Sequence, residues 1–217
     1  MHYRDRIEAG RVLARALDHY RGRTDVLVLA LPRGGVPVGA EIARHLGAPL
    51  DLLIVRKLGA PGNEELAMGA IASGGVRVLN PDVVATLGVS EATIARVASR
   101  EQRELERREV AYRGDRPRPP VEGRTVILVD DGVATGSTIR AALRALTLQK
   151  PKRIVVAVPV ASTSAHQHLV READEVVCPE VSSFFFAIGE FYDDFSQTSD
   201  EEVRALLEPA ASPRLAS

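Results

Sequence analysis

Cysteine is almost missing from this chain: Cys178 stands alone among 217 residues, which excludes an internal disulfide and any zinc site built on several thiolates. That scarcity fits a reducing compartment and points to the cytoplasm. Net charge is nearly missing too. The 28 Lys and Arg against 29 Asp and Glu leave −1, so no overall basic field exists to hold nucleic acid, and any phosphate must be held locally. No run of about 18 apolar residues occurs, which excludes a membrane-spanning helix. Met1-His2-Tyr3-Arg4-Asp5 lacks the apolar stretch of a signal peptide. There is no internal repeat and no low-complexity tract. Two common phosphate loops are also absent: neither Gly-x-x-x-x-Gly-Lys-Ser/Thr nor Gly-x-Gly-x-x-Gly after a strand occurs.

What is present is enough for a core. Hydrophobic residues make up 45% of the chain, and a domain of this length buries roughly 70% of its unfolded surface. Residues 5–20 read as an amphipathic helix with Ile7, Leu13, Leu17 and Tyr20 near one face, opened by a capping-box pair, Asp5 and Glu8. Val26-Leu27-Val28-Leu29-Ala30-Leu31 is an unbroken apolar run, which suits a strand buried on both faces. A helix over 36–46 follows, closed by Gly47. Leu52-Leu53-Ile54-Val55 reads as the next strand, residues 57–63 as a loop, and 67–72 with 76–79 as a hairpin around Ser73-Gly74-Gly75. Residues 90–113 form a long charged helix, and 114–123 a proline-containing loop. Strands over 125–129, 153–158 and 175–178 alternate with helices over 137–148 and 164–172. This alternation predicts an α/β fold: one domain over 1–217 with an open, mostly parallel twisted sheet and helices on both faces. Residues 209–217 are expected to fray.

The informative stretch is 125–138, where an apolar strand runs into Asp130 and Asp131, then a small-residue loop, then a helix. Ligands of open α/β sheets sit at the carboxyl ends of strands. The helix start near Ser137 offers unpaired N–H groups and a positive dipole end. Gly136 lets a phosphate approach the backbone, and Thr135, Ser137 and Thr138 carry donor hydroxyls. Asp130 and Asp131 accept hydrogen bonds, which suits a ribose or a hydrated magnesium ion.

This string resembles the phosphoribosyl-pyrophosphate (PRPP) signature of type I phosphoribosyltransferases: four apolar residues, two acids, an apolar pair, small residues, then Thr-Gly-x-Thr. The resemblance covers about 24–178. It implies that Asp130 and Asp131 hold the ribose hydroxyls and that Ala134, Thr135, Gly136, Ser137 and Thr138 wrap the 5-phosphate. Gly132 departs from the pattern, which usually has an aliphatic residue there. Pro32-Arg33-Gly34-Gly35 resembles the family's pyrophosphate loop, with Arg33, Gly34 and Gly35 facing pyrophosphate. Arg56 and Lys57 resemble basic residues that reach the same group. The implied activity is Mg2+-dependent transfer of phosphoribosyl from PRPP to a nitrogen acceptor such as a nucleobase. Arg33 and Lys57 would act with the two acids, and Mg2+ would be held mainly by substrate. Ala134 stands where 6-oxopurine enzymes carry a catalytic aspartate, which counts against hypoxanthine or guanine as acceptor. The same fold also serves non-catalytic PRPP- or nucleotide-binding regulators, which is the competing reading.

Outside the core, an insertion is expected over 63–120 and an acceptor-binding hood over 179–208. Phe184, Phe185 and Phe186 cluster in the hood and suit a flat base. Glu64 and Glu65 could attract a cation. The helix over 90–113 interleaves Arg and Glu, so it reads as an exposed face laced with salt bridges. It is a candidate for covering the site or for pairing two copies into a homodimer. His45, His166 and His168 show no zinc spacing, and Cys178 reads as a buried small hydrophobe.

Overall fold

Strands that are apolar on both faces need cover on both sides, and the chain supplies it. The computed structural model describes residues 1–208, without the side chains of Glu64 and Glu65. The fraying expected over 209–217 and the cation expected at Glu64 and Glu65 therefore lie outside the described residues. β1 (Val26–Ala30) and β6 (Thr125–Val129) bury every residue. With β2 (Leu50–Leu52), β7 (Arg153–Ala157) and β9 (Glu175–Val177) they form one parallel sheet in the order β2-β1-β6-β7-β9. Alternate residues of each strand face opposite ways. Val26 and Val28 meet Leu13 and Leu17 near α1 (Arg6–Ala16) and Val38 and Ile42 of α2 (Gly35–Leu46). Leu27 and Leu29 meet Ile139 and Leu143 of α5 (Ser137–Thr147) and Leu169 of α6 (Thr163–Glu172). Each fully buried aliphatic side chain contributes about 1.5–3 kcal/mol. Ile7, expected on the apolar face of α1, is instead exposed. The Asp5 carboxylate caps Glu8 N–H as expected, while the Glu8 carboxylate accepts from Arg4 N–H.

The expected strand over 52–55 divides in two. Its first part ends β2. The chain then leaves the parallel sheet, because Ile54 N–H donates to Ser73 Oγ and Ile54 C=O accepts from Ser73 N–H. β3 (Val55–Ala60), β4 (Asn63–Ala72) and β5 (Val76–Leu79) form a separate antiparallel sheet. The hairpin around Ser73-Gly74-Gly75 is as expected, but the loop expected over 57–63 is mostly strand.

Two further corrections concern helices. α3 (Pro81–Thr86) was not expected, and α4 (Glu91–Arg113), capped by Ser90, is not a purely solvated face. Ile94, Leu105 and Tyr112 of α4 bury against Leu58, Met68 and Ile71 and against Val203 and Leu207 of α7 (Asp200–Leu207). Charged residues are buried along that face as well: Glu101, Glu109 and Arg113. Beyond β7 the chain adds β8 (Val160–Ser162), which pairs in parallel with β10 (Glu180–Ser182).

Candidate functional site

The order of the central sheet places the site. From β1 the chain steps outward to β2, and from β6 it steps the other way to β7, so the direction of winding reverses between β1 and β6. Helices α2 and α5, which follow these two strands, lie on opposite faces. The crevice at such a switch point is where open α/β sheets bind ligands. The strands are in register, Ala30 opposite Val129, and Leu31 N–H donates to Val129 C=O at 2.9 Å. Residues 32–35 and 130–138 therefore emerge side by side.

Their contact is close enough to exclude a side chain. A Cβ on Gly34 would stand 1.9 Å from Asp131 Oδ2, and one on Gly35 would stand 2.8 Å from Val129 O. The Pro32–Arg33 peptide is cis. Arg33, partly exposed, reaches Asp200 Oδ1 with Nη1 at 3.4 Å, and Tyr112 Oη donates to the same oxygen at 2.9 Å. Desolvation raises the Tyr112 hydroxyl, with the Asp200 charge adding to it.

Asp130 accepts from Asp131 N–H at 2.9 Å. Burial holds its carboxyl well above the usual carboxylate range, and the Asp131 charge adds to that. Burial raises Asp131 as well, but the Arg6 guanidinium opposes it. Arg6 Nε lies 2.8 Å from Asp131 Oδ2, and both side chains are nearly covered. Sequence reasoning missed Arg6. It occupies the first turn of α1, where an arginine carries no distinguishing signal.

The loop after the two acids is pinned from beneath and open above. Val133 N–H donates to Val160 C=O, and Ser162 N–H donates to Val133 C=O, both at 2.9 Å. Ala134, Thr135, Ser137 and Thr138 remain exposed, with Gly136 buried between them. Thr135 Oγ1 and Ser137 Oγ sit 3.0 Å apart at the start of α5. Exposed hydroxyls and helix-start amides on one turn make an anion cradle. Gly132, the departure from the family pattern, has a packing cause. A Cβ there would stand 2.6 Å from Ile188 Cγ2, so Ile188 fills the space a side chain at 132 would need.

Other expected residues are placed differently. Arg56 donates through Nε and Nη2 to Glu101 Oε2 at 2.9 and 2.6 Å, which fastens α4 to the antiparallel sheet. Lys57 is exposed on β3, in register with Ala70. Phe184 and Phe186 are 81% and 84% exposed, so they form no enclosed pocket, and neither packs the tail onto the sheet. Phe185 leans on Phe191, with ring centroids 5.2 Å apart. Cys178 is half-buried, and desolvation pushes its thiol up to about 12, which leaves it a poor nucleophile. A cavity of about 700 Å3 lies at the other end of α2, lined by Gly47, Pro49, Asp51, Arg113 and Pro119. Its Arg113 is already satisfied by Asp51 and Leu52 C=O. No group of three or more His, Cys, Asp or Glu among the described residues could hold a metal ion. No helix among them is long and apolar enough to cross a membrane.

The family model described as phosphoribosyl transferase domain matches residues 4–196. Relatives from two Mycobacterium tuberculosis strains, whose names give phosphoribosyl transferase provisionally, are each 47% identical over 206 residues. Those alignments cover 95% of this chain and 46% of the relatives, so the chain spans about half their length. The crystal structure of TT1426 from Thermus thermophilus superposes with a TM-score of 0.87 at 46% identity, covering 95% of this chain and 98% of that one.

Proposed function

Because the chain belongs to the phosphoribosyl transferase family, we propose that it transfers the 5-phosphoribosyl group of PRPP to a nitrogen acceptor, a nucleobase, and releases pyrophosphate. One observation carries this reading: Gly34 seats directly on Asp131, so the glycine turn and the acid pair share one crevice beside the exposed cradle at 134–138. A ligand with a phosphate at one end, a diol in the middle and a second anion at the other suits that arrangement.

In the reaction the C1–O bond to pyrophosphate breaks with its electron pair going to the leaving oxygen, a C1–N bond forms, and the acceptor nitrogen loses its proton to solvent. Ala134, Thr135, Gly136, Ser137 and Thr138 hold the 5-phosphate through backbone N–H and hydroxyl donors. Arg33 faces the leaving pyrophosphate and stabilises the negative charge that develops there. Asp130 and Asp131, at the carboxyl end of β6, offset the positive charge growing on the ribose. The adjacent Asp130 and Asp131 carboxylates are hard oxygen donors of the kind Mg2+ takes, and the ion would be held mostly by substrate oxygens and water. Bound there, it would neutralise pyrophosphate charge. The exposed faces of Phe184 and Phe186 are open to stack on the acceptor ring.

Calorimetric titration with PRPP, with and without Mg2+, tests the reading. Magnesium-dependent binding is expected, and Asp130→Asn should weaken it on the order of a hundredfold while the fold survives. Unchanged affinity in that variant would show that the acid pair has been misassigned. An absence of binding under either condition would favour a nucleotide-sensing regulator.

A further inference from the structure

Arg6 lies 125 positions from the motif in the chain yet contacts it directly. Its Nε meets Asp131 Oδ2 at 2.8 Å, and its Nη1 donates to Ser196 C=O at 2.7 Å. The guanidinium also stacks 4.0 Å over the Phe195 ring. Two donor directions and the ring face are thus fixed at once, which leaves this planar group little freedom. Asp131 is fixed in turn. Gly34 lies against the same carboxylate, and Tyr192 Oη donates to Asp131 C=O at 2.6 Å. A buried ion pair adds little stability on balance, so its better-attested use is to specify a geometry. Here the geometry specified is that of one acid of the pair.

We propose that Arg6 is a positioning residue of the ribose site, holding the Asp131 carboxylate in the one orientation from which it and Asp130 recognise a diol. The inference rests on the phosphoribosyl reading above. It makes α1, outside the signature loops, part of the sugar specificity.

Calorimetry with ribose 5-phosphate, 2,3-dideoxyribose 5-phosphate and inorganic phosphate tests it on the full chain. The wild type should prefer the diol-bearing sugar by about tenfold or more, since hydrogen bonds to ionised acceptors are the strong ones. In Arg6→Gln that preference should fall to about twofold or less, while affinity for inorganic phosphate stays at the wild-type value. Arg6→Lys, which keeps the charge but not the stacked fork, should recover part of the preference. A general structural defect would weaken phosphate binding too and leave the ratio unmoved. An intact preference in Arg6→Gln would overturn the inference alone. A wild type with no preference would remove the ribose reading, and this inference with it. Should Arg6→Gln fail to fold, Arg6→Lys decides: a full wild-type preference there would overturn the assignment.

Discussion

Gly34 reads in the sequence as one glycine of an expected pyrophosphate loop, and its neighbour leaves no room for a methyl group. A Cβ there would stand 1.9 Å from Asp131 Oδ2 and 2.5 Å from Cγ. Gly34→Ala must therefore push the carboxylate off Arg6 or lift the loop. It should cost about 1–3 kcal/mol in a denaturation midpoint and remove PRPP binding. Wild-type affinity in that variant would mean that the loop does not rest on the acid. At this scale the contiguous part of the candidate site was legible. Asp130, Asp131 and residues 134–138 form one uninterrupted pattern, and chain continuity alone brings them together. Arg6 was not legible, because its contact with Asp131 spans 125 positions and nothing local marks it. Ile188 was hidden for the same reason: a glycine at 132 signals a missing side chain but not which residue fills the gap.

Among elements, those with a long period were readable and those defined by partners were not. β1, β6, α2 and α5 carry apolar patterns that fix both their type and their buried face. β8 and β10, at three residues each, exist because they pair with one another. The division between β2 and β3 depends on Ser73, nineteen positions from Ile54. Alternating charge on α4 suggested a solvated helix because charge pattern does not reveal which charges have buried partners. Arg113 is buried against Asp51 at 3.1 Å and Glu109 at 3.5 Å, whereas Arg107 pairs with Glu104 in open solvent. Removing one member of a buried network strands the others, so Arg113→Met should destabilise the protein by about 3–5 kcal/mol. Arg107→Ala should leave the urea midpoint unmoved, because exposed pairs contribute little. Equal effects from the two variants would show that α4 has no buried charged face.

Over the whole molecule, the N-terminal residues Tyr3 and Arg4 are clamped to residues 191–194, the segment that also contacts the acid pair. Tyr3 N–H donates to Phe191 C=O, Asp193 N–H to Tyr3 C=O and Asp194 N–H to Arg4 C=O, all at 2.9 Å. Tyr3 Oη continues to Pro159 C=O, and the Tyr3 and Tyr192 rings lie 5.6 Å apart. The sequence set residues 179–208 apart as an expected hood but did not mark Tyr3, whose lone bridge to Tyr192 leaves no periodicity to read. Tyr192 joins this clamp to the acid pair through its buried bond to Asp131 C=O. If the clamp and the acid loop form one cooperative unit, loosening that bond must loosen both terminal segments together. Tyr192→Phe should cost about 1–2 kcal/mol, the loss of one buried hydrogen bond that leaves its acceptor unpaired. Hydrogen exchange should then speed up in parallel at the amides of Tyr3, Asp193 and Asp194, and PRPP should slow all three in the wild type. Faster exchange at Asp193 and Asp194 with Tyr3 unchanged would mean that the N-terminal segment rests on residues 191–194 without belonging to the same unit, and α1 would then reach the site through Arg6 alone.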